Sequence, residues 1–442
     1  MRNFILMIGI AFVTACGGGG DGIGGVPQAG NCTNDAQKQF VLDAMRDWYL
    51  WNNLLPTNVD INAYNSPEEL LAFLTTVQPL DDFSFINTVE ADQQFFGEGK
   101  YEGYGFSTRF LAADDLRLAR VFVDSPAFAA QLERGQRILE LNGRTIAEIE
   151  AAEGVGAVFD TSPIDFLIRE DDGNEFPATI AVDIVTIDPI PQSRIIPVAG
   201  TPGIGYLELA QFISTADPGS ATPAVRNFET VFSEFRDASV TDVIIDMRFN
   251  GGGLVSTAEL LGDYLGGFVW QNLIFSNTLF NADRASNNER EFFELRENSL
   301  GLSRLIVIAS QGTASASELV TNSMEPYVDV AIVGDRTFGK PVGQIGLEFC
   351  GKILRPTAFQ TTNANDFGDY FGGLPADCVV TDDLAIPVGV DNDPNVEAAL
   401  TYFTTGGCPV ISAPGLQSKS AVAPSRKVDR RGPPQREYAG AY

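Results

Sequence analysis

Leu305-Ile306-Val307-Ile308-Ala309 and, one residue on, Gln311-Gly312-Thr313-Ala314-Ser315-Ala316-Ser317-Glu318-Leu319-Val320 decide how the chain is built. The first run is short, apolar and β-branched, the pattern of a buried strand. The second opens a helical pattern that stops near Pro326. The small residues between them lie on a tight strand-to-helix turn. Small side chains let backbone N–H groups approach a ligand there, and a helix start favours negative charge. A serine on such a turn is well placed as a nucleophile, beside donors for an oxyanion. Ser315-x-x-Glu318 also fits a capping box, in which Ser315 does no more than start a helix.

The chain of 442 residues contains no histidine. That excludes Ser-His-Asp and Cys-His mechanisms. A serine hydrolase built on this turn needs another base, and lysine is the usual substitute. Two blocks around the turn carry a resemblance. Thr313-Ala314-Ser315-Ala316-Ser317-Glu318, then Gly334-Asp335-Arg336-Thr337-Phe338-Gly339-Lys340 and Gln344, resemble the active-site block of the carboxyl-terminal processing (tail-specific) serine proteases. Upstream, the apolar strand Val243 to Arg248 runs into Phe249-Asn250-Gly251-Gly252-Gly253, and Asp-x-Arg-x-Asn-x-Gly-Gly is a second block of that family. The resemblance implies Ser315 as nucleophile, Lys340 as general base and Gln344 as the residue that orients Lys340. It implies an oxyanion hole from the N–H groups of Ala316 and Gly252, the choice of glycine being uncertain by one. Taken alone, Lys340 reads as a solvated surface lysine, and Gln344 carries no signal.

Outward from this centre the chain reads as a multidomain α/β (α+β) protein. Residues 31–95 are predicted as a helical N-terminal domain, with Phe40, Val41, Ala44, Met45, Trp48 and Tyr49 at helical steps and a helix start at Ser66-Pro67-Glu68-Glu69. Residues 100–185 change to short strands and an Asn142-Gly143 turn. There Gly103-Tyr104-Gly105-Phe106 resembles the carboxylate-binding loop of a PDZ domain, which captures a peptide C-terminus and adds the peptide to a sheet edge. The polar stretch Gln131 to Gly135 departs from that pattern. Residues 186–414 are predicted as the catalytic domain, and the resemblance implies a crotonase-like fold for it. Gly351 to Phe359 and Phe371 to Val390 read as further strands, and a closing helix starts at Asp393-Pro394.

At the N-terminus, residues 1–15 read as a signal peptide, and Val13-Thr14-Ala15-Cys16 resembles a bacterial lipoprotein cleavage box. The expectation is a lipidated Cys16, a glycine-rich linker over residues 16–30, and a lipid-anchored protein of the bacterial envelope, with the outer membrane favoured. Cys32, Cys350, Cys378 and Cys408 then suggest two disulfides with three possible connectivities; Cys350–Cys378 with Cys32–Cys408 is preferred, as a clip between the first and last ordered residues. Neither histidine nor a Cys-x-x-Cys is present, which argues against a transition-metal site, and no cofactor is expected. Net charge is −29, and the basic tail at residues 415–442 leaves the remainder more negative still. This argues against nucleic-acid partners and against electrostatic docking on anionic lipid. Protein or peptide substrates with free C-termini are the implied partners. The leading reading is an envelope serine endopeptidase with a Ser-Lys-Gln centre. The alternatives are a catalytically silent peptide- or lipophilic-ligand-binding lipoprotein and a structural tether.

Overall fold

The computed structural model describes residues 31–213 and 223–409. The expected signal segment, Cys16, the glycine linker and the basic tail lie outside these residues.

The N-terminal segment comprises α1 (Asn34–Trp48), α2 (Pro67–Thr75), β1 (Phe85–Thr88) and α3 (Val89–Glu98). The caps are those the sequence carries. Thr33 accepts from the Ala36 N–H, and Ser66 accepts from the Glu69 N–H with Pro67 at the first helical position. Phe40, Val41, Ala44 and Met45 form one buried face of α1, and Leu70, Leu71 and Leu74 of α2 meet it.

Residues 100–186 form an antiparallel β unit: β2 (Lys100–Gly103), β3 (Phe106–Ala112), β4 (Asp115–Val121), α4 (Pro126–Ala129), β5 (Arg137–Leu141), β6 (Arg144–Thr145), α5 (Ile146–Ala152), α6 (Val155–Phe159), β7 (Ile164–Arg169), β8 (Glu175–Ile180) and β9 (Asp183–Thr186). The main sheet runs β3-β4-β5-β7-β8, with β6 on β5, and β2 pairs with β9. Its core is aromatic, with Tyr104, Phe106, Phe159 and Phe166 in contact. Asn142 and Gly143 both have positive φ (51° and 72°), as a tight Asn-Gly hairpin turn requires.

The rest of the chain holds β10 (Gln192–Ile196), β11 (Ile204–Glu208), α7 (Pro223–Asp237), β12 (Asp242–Asp246), α8 (Val255–Trp270), β13 (Ile274–Phe280), β14 (Glu289–Phe292), β15 (Arg304–Ala309), α9 (Ala316–Met324), β16 (Asp329–Gly334), β17 (Val342–Gln344), β18 (Leu347–Phe349), β19 (Lys352–Arg355), β20 (Thr357–Thr362), β21 (Cys378–Val379) and α10 (Pro394–Thr405). The central sheet is ordered β10-β11-β12-β15-β16-β21, parallel from β11 onward. Such a sheet must be covered on both faces. Side chains alternate accordingly: Val243, Ile245, Leu305 and Val307 pack under α7, α8 and α9, while Ile244, Ile306 and Ile308 pack under α10. A second sheet, β14-β13-β20-β17, carries Gln344 at its edge.

Three expectations change. The N-terminal helices do not close a core of their own, because Leu347, Phe349 and Leu354 of the β18–β19 hairpin complete it and β1 pairs with β19. The disulfides are Cys32–Cys350 and Cys378–Cys408, not the preferred pairing. The reason is local: Cys350 is at the tip of the hairpin that α1 covers, and Cys408 follows α10, which packs beside β16 and β21. Between Phe371 and Val390 only β21 forms; the many glycines, prolines and aspartates there favour turns.

Candidate active site

β15 delivers the chain to Ser315, where φ is 55° and ψ −116°, and α9 begins at the next residue. A serine at positive φ is unusual and stores strain. The strain is held by hydrogen bonds on either side of Ser315. The Ala314 N–H donates to Asn250 O (3.1 Å), the Ser317 Oγ–H donates to the same oxygen (3.1 Å), and the Ser315 N–H donates to Glu318 Oε2 (2.9 Å). The Ala316 N–H meets no acceptor among the described residues. Ser315, Lys340 and Gln344 line one cavity of about 270 Å³ with Gly251, Gly253, Leu254, Val255, Phe85 and Phe359.

Glu318, read from the sequence only as half of a capping box, ties the two reactive segments together. Its side chain is fully buried. Oε2 accepts from the N–H groups of Ser315 and Lys340 (2.8 Å to the latter), and Oε1 accepts from the Gly339 N–H (2.7 Å) and the Thr337 hydroxyl (2.5 Å). Burial pushes its carboxyl up, against the pull of these four donors. Lys340 is itself buried, 3% exposed. Its Nζ lies 5.0 Å from the centre of the Phe83 ring. The Gln344 amide donates to the Phe83 carbonyl (2.9 Å).

The glycine run behaves differently from expectation at one atom. The Gly252 N–H donates to Asn250 Oδ1 (2.9 Å), so in this conformation Gly252 contributes space rather than a donor. A Cβ there would come within 2.8 Å of Ser315 Cβ and 2.9 Å of the Ala316 nitrogen. With φ at +107° as well, only glycine fits. The N–H groups of Gly251 and Gly253, which line the cavity, meet no acceptor among the described residues.

Behind the glycine run sits Arg248, 2% exposed. It pairs with Asp246 (2.7 Å), Asp382 (2.6 Å) and Asp393 (2.5 Å), and Tyr206 donates its hydroxyl to Asp246. Burial alone would lower the guanidinium; the three carboxylates override it and hold it well above its ordinary value. The Asp-x-Arg-x-Asn phrase thus places a charge hub and the Asn250 clamp on consecutive turns of chain, and its polar residues at the end of an apolar strand were the signal for both.

In the β unit, Gly103-Tyr104-Gly105-Phe106 joins β2 to β3. Its carbonyls are satisfied, Tyr104 O by the Ala127 N–H (2.9 Å) and Gly105 O by the Phe122 N–H (2.8 Å). The N–H groups of Tyr104 and Gly105 have no acceptor among the described residues. The Tyr104 side chain is buried in the core, and β3 is the edge strand. Arg120 joins this unit to the central sheet through Glu208 on β11, and Arg134 joins it to Asp382 in the segment between β21 and α10 (2.7 Å). Among the described residues no group of acidic and cysteine side chains is arranged to hold a metal.

Ser315, held at positive φ at a helix start, thus shares one cavity with the buried Lys340. The sequence model of peptidase family S41 matches residues 203–366, and that of the S41 N-terminal domain matches residues 36–85. A carboxyl-terminal-processing protease of Synechocystis is 23% identical over 359 residues, 78% of this chain and 77% of that protein. Two other similar proteins, from Tetradesmus obliquus and Arabidopsis thaliana chloroplasts, are matched over only 31% and 52% of their length. In fold, the chain is similar to the crystal structure of a putative S41 protease from Bacteroides fragilis, with a TM-score of 0.64 and 24% identity over 83% of this chain and 97% of that one. By these matches the chain is similar to peptidase family S41 and to carboxyl-terminal processing proteases.

Proposed function

We propose that the chain is a serine endopeptidase that uses Ser315, Lys340 and Gln344 and recognises the C-termini of its protein substrates. The observation that carries this is the Glu318 clamp, which fixes the backbones of Ser315 and Lys340, 25 residues apart, to one carboxylate. In the mechanism, neutral Lys340 takes the Ser315 proton as Oγ attacks the scissile carbonyl. The tetrahedral oxyanion is held by the Ala316 N–H and by one donor of the glycine run, Gly251 or Gly253 as the chain stands, or Gly252 if the Asn250 bond is released. Each such donor contributes about 3–4 kcal/mol to the transition state. Lys340 returns the proton to the leaving amine, and water hydrolyses the acyl-enzyme by the same route. The β unit acts as a PDZ-like domain, with the free N–H groups of Tyr104 and Gly105 receiving a terminal carboxylate and the peptide adding beside β3. The central sheet and its helices serve as a crotonase-like catalytic core. With Cys16 lipidated, the enzyme would work from a lipid anchor in the bacterial envelope.

The test is cleavage of peptides that differ only in a free or amidated C-terminus, by the wild type, Ser315→Ala and Lys340→Arg. Both variants should be folded and inactive, since arginine cannot deprotonate in the working range. The acid peptide should be cut faster than the amide. Activity in either variant would remove the Ser-Lys centre; equal rates on acid and amide would remove the docking role alone.

A further inference from the structure

Asp81-Asp82-Phe83-Ser84 forms a buried turn just before β1. Asp81 Oδ1 accepts from the N–H groups of Phe83 and Ser84 (3.0 Å each) and from the Thr357 hydroxyl (2.8 Å), and Oδ2 accepts from Ser84 Oγ (2.7 Å). Ser84 Oγ accepts from the Thr357 N–H at the start of β20 (2.9 Å). The turn is therefore bolted to the sheet that carries Gln344. What it presents to the active site is one residue used twice. The Phe83 carbonyl holds the Gln344 amide, and the Phe83 ring, braced edge-on by Phe338 at 5.9 Å, faces Lys340 Nζ.

We propose that Phe83 is a positioning residue of the catalytic centre, orienting Gln344 through its carbonyl and Lys340 through its ring. This rests on the Ser-Lys reading given above. The ring's negative face attracts the ammonium form of lysine. It seats Lys340 in the resting enzyme and must release it as the lysine loses its proton. Other charged groups surround this corner of the site: Glu318 on α9 accepts from the Lys340 N–H, Arg355 on β19 lines the cavity and pairs with Asp92 on α3, and Asp81 and Asp82 precede Phe83 in the turn. None of these changes in the variants that follow, so a shift read from them belongs to the ring.

The experiment is the pH dependence of kcat/KM on a short peptide for the full chain with Phe83→Tyr, Phe83→Leu, and pentafluorophenylalanine at position 83. The last keeps the size of the ring and reverses the charge of its face, so it remains informative if Phe83→Leu folds poorly. The acid limb should stay in place for Phe83→Tyr. It should move to lower pH by about half a unit for Phe83→Leu, and by more for the fluorinated ring. An acid limb that stays put for both the leucine and the fluorinated variants, with Lys340→Arg inactive, would overturn the proposal and leave the Ser-Lys reading standing. An active Lys340→Arg would overturn both.

Discussion

Two charged residues are buried in the molecule, and they are neutralised in opposite ways. Arg248 is surrounded by three carboxylates. Among the described residues no cation pairs with Glu318; it is solvated by three backbone N–H groups and a hydroxyl. The first arrangement joins β12 to α10 and to the Asp382 loop, all parts of the framework. The second joins the nucleophile turn to the lysine loop. Charge pairing suits a framework, because it is strong and tolerant of small shifts. Dipoles suit a site that must hold a precise geometry, because N–H groups fix direction as well as distance and add no formal charge beside Lys340.

Substitutions test that difference. Arg248→Met should have the largest effect, since it leaves Asp246, Asp382 and Asp393 buried without their shared cation. Removing one partner of a buried ion pair costs about 3–5 kcal/mol, and thermal unfolding should show a loss of that size. A stability close to wild type would mean the hub is not the framework joint described here. Glu318→Gln should come next, with its main effect on rate. The amide keeps the shape but turns one acceptor into a donor, facing groups that already donate. A hydrogen bond to a charged group is worth about 1.5–3 kcal/mol, so kcat should fall at least tenfold while the unfolding temperature moves less than in Arg248→Met. An unchanged kcat would put Glu318 with the framework and collapse the comparison. The smallest effect is expected at Glu259 on α8, which has like charges for neighbours. Burial, then Glu291, Asp263 and Glu289, raise its carboxyl to about 7. An acid raised on folding weakens the fold where it is ionised, so the penalty is full above pH 7 and fades toward 4.5, the ordinary value. Glu259→Gln should therefore raise the unfolding temperature by a few degrees at pH 8 and leave it nearly unchanged at pH 4.5.

Much of this was legible in the chain because local chemistry decides it. The caps at Ser66 and Asp393, the Asn142-Gly143 turn and the strands around Ile244 and Ile306 follow from residues a few positions apart. Ser315 was marked by its strand-to-helix turn, whereas Lys340 and Gln344 stood out only through resemblance to a known block, and the meeting of the three in one cavity is a fact of three dimensions. What periodicity could not reveal is long-range pairing. The partner of Cys32 is 318 residues away, and the Gln344–Phe83 contact spans 261. Glu318 was visible as a cap, but nothing local shows that its second oxygen reaches Gly339 and Thr337. Gly252 was assigned as a donor, within one residue, from the family resemblance; Asn250, two residues earlier, takes up that N–H, a competition the resemblance does not reveal.

The shared core of α1, α2 and the β18–β19 hairpin has a consequence for the order in which the chain becomes an enzyme. During synthesis α1 emerges with Phe40, Val41 and Met45 uncovered, and Phe349 and Leu354, which complete their burial, follow some 300 residues later. At roughly 5–20 residues per second, that is a wait of tens of seconds. Contacts of such separation also close slowly, because loop entropy is lost before burial repays it. The turn that holds Gln344 belongs to the early segment, and Gln344 to the late one. A growing chain that has not reached Gln344, or a C-terminal fragment that lacks Phe83, cannot make that contact, so this wall of the cavity is assembled only once both ends have met.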